Sequence, residues 1–240
     1  MAMTYNCKRK FYPDGQVQQV AVDAPIFRRP LSADDEPDYS SSARPDTYAM
    51  QEVRKDNLKR VREKIFDICA LNSFDYFITW TLNPELVDRY SPAEVRPKIS
   101  KFLNNMQQRY NLKYIVVPEY HKDKAIHFHG LISGDLRMVP SGRTDTAGHT
   151  IYNMPQWKYG FSTAIPLYGD SQAVARYMTK YITKDLSKIF GKFYFSSRGL
   201  SRSVPVQYDI IDYDQIGVLE HRNVFGYKYL TFKLEDMQDG

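Results

Sequence analysis

The apolar and polar positions of the chain change period several times along its length, and each change predicts an element. Residues 4–22 alternate around Pro13-Asp14-Gly15, which predicts two short strands joined by a turn. Residues 28–47 hold several prolines, the acidic cluster Asp34, Asp35, Glu36 and Asp38, and a serine run, and are expected to be an arm or linker. Over 47–71 the period becomes helical: Met50, Val53, Leu58, Val61, Ile65 and Ile68 recur three to five apart with charges between them. Residues 74–82 (FDYFITWTL) predict a core strand ended by Asn83-Pro84. Ser91, Pro92 and Glu94 then form a helix start, followed by Val95, Ile99, Phe102, Leu103 and Met106 at helical spacing. Pro97 interrupts that pattern, so the regular part of the helix is expected to begin there. The runs 113–120 (KYIVVPEY) and 126–133 (IHFHGLIS) around Lys122-Asp123-Lys124 predict a hairpin. A polar loop is expected over 135–156, a strand over 157–167 and a helix from Ser171 to about Ile189. Further strands are expected at 192–196, 205–212 and 223–233, with a basic loop over 196–203.

The hairpin is where chemistry first appears. Side chains alternate along a strand, so His127 and His129 share a face and both imidazoles can reach one metal ion. Glu119 lies on the outgoing strand opposite them, and a carboxylate with two imidazoles can converge on a divalent cation. His121 lies in the turn, where a solvent-exposed role is expected. Two histidines on a strand are also a common solvated face, and zinc proteins use such pairs. The pair alone does not name a reaction.

Composition narrows the partner. The chain has 240 residues, 42% hydrophobic and 25% charged, enough for one large domain with a core. No apolar run approaches a membrane span of about 20 residues, and no secretory segment is apparent. With only Cys7 and Cys69, neither a disulfide framework nor a zinc ribbon is expected, which points to a cytoplasmic setting. Net charge is +5, which favours an anionic partner, and seven of the cations fall between Arg176 and Arg202 against one acid, Asp185. Together with 19 Tyr and 13 Phe, such a segment suits single-stranded nucleic acid, where phosphates need cations and bases need stacking surfaces. No phosphate-binding loop of an ATPase is present.

The helix from Ser171 supplies a second half to the site. Tyr177 and Tyr181 are four apart and share a face, and Arg176, Lys180, Lys184 and Lys188 line a neighbouring stripe. A tyrosine hydroxyl can attack a phosphodiester in line and become covalently phosphorylated. A phenol, whose ordinary pKa is about 10, needs a nearby ammonium to favour its phenolate at neutral pH. Lys180 and Lys184 are placed for that, or for holding phosphate. Arg176, Lys188, Arg198 and Arg202 are the expected DNA contacts.

Three motifs in order resemble the HUH endonuclease superfamily of rolling-circle replication initiators, in the two-tyrosine form of phage replication proteins. They are 77–84 (FITWTLNP), His127-Phe128-His129, and 175–185 (ARYMTKYITKD). The resemblance covers about residues 74–190 and implies an α+β fold: a central antiparallel sheet flanked by helices, ferredoxin-like in its core. It implies that Glu119, His127 and His129 hold Mg²⁺ or Mn²⁺, and that Tyr177 and Tyr181 nick single-stranded origin DNA and rejoin it. The free 3′-hydroxyl would then be extended by host polymerase, with a host helicase as further partner. Residues 1–47 are expected to be strands plus an arm, and 48–240 the endonuclease domain with C-terminal strands. A transposase of the same chemistry, a non-catalytic nucleic-acid-binding module and a zinc-dependent hydrolase are the alternatives.

Overall fold

The computed structural model describes residues 3–28, 55–169, 171–180, 189–212 and 227–233. In chain order the elements are β1 (Met3–Phe11), β2 (Gln16–Arg28), α1 (Lys55–Leu71), β3 (Tyr76–Leu82), α2 (Pro92–Tyr110), β4 (Lys113–Tyr120), β5 (Ile126–Ser133), β6 (Val139–Thr144), β7 (Thr150–Asn153), β8 (Gly160–Pro166), α3 (Ser171–Lys180), β9 (Phe195–Ser196), β10 (Val206–Asp209) and β11 (Tyr227–Lys233). The chain divides into two compact units, one of Met1–Thr47 with Ser203–Gly240 and one of Tyr48–Arg202.

The first unit is a four-stranded antiparallel sheet in the order β10-β1-β2-β11. Its hairpin turns where expected: Gly15 takes φ +80, and the Gln16 amide donates to the Asp14 carboxylate at 3.1 Å. The expected C-terminal strands are present but pair with the N-terminal ones, in place of the single domain expected over 48–240. The reason is long-range bonding. The buried Asn6 amide donates to the Ile211 carbonyl and accepts from the Ile211 amide, at 2.7 and 2.8 Å. Arg9 meets Asp209 at 2.6 Å. The expected arm over 28–47 lies almost wholly outside the described residues.

The second unit carries a seven-stranded sheet in the order β6-β7-β8-β3-β5-β4-β9, antiparallel throughout, with helices on it. The α+β expectation holds. Even-numbered residues of β3 and β5, among them Ile78, Trp80, Phe128 and Ile132, join Val95, Ile99, Phe102, Leu103 and Met106 of α2 in one buried cluster. Trp80 and Trp157 stack there at 5.0 Å, with Phe102 edge-on to both. The opposite face of the sheet is met by α3, whose Tyr177 packs edge-on against Phe77 at 5.2 Å, and α3 packs on α1.

The structure departs from the expectations in two further places. α2 runs unbroken from Pro92 through Pro97, because the Ser91 cap and the five buried apolar side chains outweigh one missing ladder bond. The segment 135–156 is no simple loop: β6 and β7 pair as a hairpin and extend the sheet beyond β8. Its strands are short, exposed and bulged between Pro140 and Arg143, so their alternation is hard to read. The strand expected at 192–196 shrinks to Phe195–Ser196. The helix expected to reach Ile189 is described as far as Lys180, and 181–188 lie outside the described residues.

Candidate active site

The hairpin β4–β5 turns tightly because Lys124 adopts φ 69 while the Asp123 carboxylate accepts from the Ala125 amide at 3.0 Å. Arg89 grips the same carboxylate at 3.0 Å, and its carbonyl accepts from the Ile126 amide. Those contacts set the register, in which Glu119 faces His127 and Val117 faces His129. β3 on the other side of β5 places Thr81 opposite His127 and Thr79 opposite His129. One face of three adjacent strands therefore presents Glu119, His127, His129, Thr79, Thr81 and Phe77 together.

Contacts across that face are specific. His129 Nε2 lies 3.1 Å from Glu119 Oε2, in a pair about seven-eighths withdrawn from solvent. The Thr79 hydroxyl is 3.1 Å from His129 Nδ1 and the Thr81 hydroxyl 3.3 Å from His127 Nδ1. Each threonine thus occupies one ring nitrogen, which turns the other toward the shared face. Burial, reinforced by the charges of His121 and His129, pushes the His127 pKa below its ordinary value. The neutral imidazole that results is the form able to bind a cation. His121, more than half exposed, stacks on the His127 ring at 4.8 Å and meets Asp123 at 3.2 Å.

Phe77 connects this face to the helix. Its ring stacks 6.1 Å from His129 and 5.2 Å from Tyr177. Buried Ala175 and Met178 hold α3 in place, leaving Tyr177 44% exposed and Arg176 exposed. Lys180 ends the described part of α3, while Tyr181, Lys184 and Lys188 lie outside the described residues. Arg198 is exposed. Arg202 is engaged within its own loop, donating to the Ser196 hydroxyl at 3.0 Å and the Ser197 carbonyl at 2.8 Å. It therefore holds the loop as well as offering charge.

Among the described residues no three His, Cys, Asp or Glu side chains are already grouped as a metal cage. The donor set nonetheless suits a hard divalent ion. Cis ligands of an octahedral ion at Mg²⁺ distances are about 3 Å apart, near the 3.1 Å between Glu119 and His129. Sequence reasoning passed over Thr79, Thr81 and Phe77 as site residues. Their signal was present in FITWTL, where two threonines break an apolar strand at alternate positions.

Residues 75–186, just under half of the chain, match the family described as Replication-associated protein ORF2/gene 2 protein. No curated protein and no solved structure matches. The match supports a role in DNA replication and covers every element of the face just described, from β3 through α3. No described helix is long and apolar enough to cross a membrane.

Proposed function

We propose that the chain is a replication initiator that nicks single-stranded origin DNA through a tyrosine. The observation that carries this reading is Phe77, whose ring touches both His129 and Tyr177 and so sets a phenol beside a Glu/His/His face. The Tyr177 hydroxyl attacks the phosphorus in line: a Tyr O–P bond forms, the P–O3′ bond breaks, and the leaving oxygen takes a proton to become a 3′-hydroxyl. The phosphodiester energy is kept in the 5′-phosphotyrosine, so the reverse reaction rejoins ends without ATP. Tyr181 is the second nucleophile in this scheme, and Lys180 and Lys184 hold phosphate or favour a phenolate. Arg176, Lys188 and Arg198 contact the DNA backbone, with Arg202 beside them.

Glu119, His127 and His129 are the residues that would hold Mg²⁺ or Mn²⁺, which would polarise a phosphate oxygen and offset charge in the transition state. The chain's own contribution is orientation. Thr79 and Thr81 fix the imidazoles, and Phe77 fixes the phenol. Incubation with 5′- and 3′-labelled single-stranded oligonucleotides plus Mn²⁺ tests the proposal. A metal-dependent covalent adduct on the 5′ end, lost in Tyr177→Phe/Tyr181→Phe, is the expected result. Cleavage without any adduct would mean water, not tyrosine, is the nucleophile.

A further inference from the structure

The face that carries Glu119, His127 and His129 is closed on one side and open on the other. Toward β4 it is sealed: Ile115, Val117 and Leu131, which share that face, are at most 2% exposed. Toward β8 it opens, with Phe161 72% exposed and Thr163 half-buried. The register carries the open face outward strand by strand. His127 stands opposite Thr81, and Thr81 opposite Phe161. On the next strand Tyr152 pairs with the buried Ala164, so Ile151 shares the open side with Thr163. Arg143 on β6 then stands opposite Ile151, and it is exposed.

A single exposed phenylalanine means little by itself. Its placement is what matters here. Phe161 is two strand spacings, about 10 Å, from the His127 backbone, and Arg143 is two spacings further out. A flat π-face followed by a guanidinium at that separation matches what single-stranded DNA requires, a surface for a base and a cation for a phosphate. Duplex recognition would call for an element inserted in a groove, and this wing is a sheet surface.

Building on the proposed nicking function, we infer that the β6–β8 wing is the track for the single strand flanking the attacked phosphate. Phe161 is the base-stacking platform nearest the centre, and Arg143 is a phosphate contact. The strand leaves the centre across β3 and β8 toward β6. It does not pass over β4, where Ile115 and Val117 are covered.

Binding is tested apart from chemistry. The full chain carrying Tyr177→Phe/Tyr181→Phe is titrated, in EDTA, into a fluorescein-labelled oligodeoxythymidine, and anisotropy is read over a salt series. Phe161→Ala is expected to weaken binding by roughly 5- to 150-fold, and Phe161→Trp to retain it. Arg143→Gln is expected to lower the slope of log K against log salt by about 0.7. Melting temperatures of both variants stay near the parent's, since neither side chain is buried. Unchanged affinity in Phe161→Ala together with an unchanged slope in Arg143→Gln overturns the track. If the tyrosine-intact chain forms the covalent adduct while these variants bind normally, the track fails and the nicking function stands. If no adduct forms while the variants bind weakly, the track stands and the nicking function fails.

Discussion

Gly130 lies between His129 and Leu131 in the middle of β5, with β3 on one side and β4 on the other. A Cβ added there would point to the core face and lie 2.6 Å from the Ile115 carbonyl oxygen and 2.8 Å from Val116 Cγ2. Ordinary contact begins near 3.4 Å, so the approach is about 0.8 Å too close. Val116 can turn aside only within a packed core, and the carbonyl belongs to the backbone of the paired strand. Overpacking of this kind costs about 1–3 kcal/mol. Removing a glycine from the unfolded chain offsets about 0.4–1 kcal/mol of that. Gly130→Ala should therefore lose about 1–2 kcal/mol, and at 2–4 °C per kcal/mol for a domain of this size melt about 2–8 °C lower. Because β5 must shift away from β4, the 3.1 Å approach of His129 to Glu119 is lost as well, and Mn²⁺ affinity should fall with stability. Differential scanning calorimetry and isothermal titration with Mn²⁺ read the two effects. A Gly130→Ala variant that melts within a degree of the parent would falsify the packing argument.

Two other perturbations bear on the same face. Thr79→Val and Thr81→Val remove the hydroxyls that hold His129 and His127 through Nδ1. On the proposed function each should weaken Mn²⁺ binding about 10- to 100-fold, as outer partners of metal-binding histidines do, while melting changes little. Affinity equal to the parent's in both variants would show that the threonines do not orient the rings. The second concerns pH. The folded pKa of His127 lies below the unfolded value of 6.5, burial being the main cause. Its contribution to stability is then fully present above pH 6.5 and is lost as pH falls through the folded pKa, because the unfolded chain takes the proton first. The imidazole resonances should titrate with a midpoint under 6.5, and a midpoint at or above that value contradicts the assignment.

Much of this site can be read from residues alone, and the physical reason is locality. Alternation with period 2 puts His127 and His129 on one face whatever the rest of the chain does. A three-residue turn then brings Glu119 opposite His127. The start of α2 is equally local, since Ser91, Pro92 and Glu94 act within one turn, and its five apolar positions are those found buried. Thr81 was not legible as a partner of His127 because the two are 46 residues apart and meet only through the register of β3 on β5. Composition misled over 135–156, where polar residues and glycine suggested a loop but an edge hairpin forms, its outer side needing no apolar run.

The chain's own sequence determined which stretches are strands and helices, where α2 begins, and that a carboxylate and two imidazoles share a hairpin face. Tertiary structure decided who pairs with whom. It joined Asn6 to Ile211 across 205 residues, so that the C-terminal strands complete the N-terminal sheet. It brought Phe77 between His129 and Tyr177, and it left the β6–β8 wing open while covering β4. A residue's period reports its own backbone, whereas pairing and burial depend on partners distant in sequence, whose contacts exist only once the whole sheet has closed.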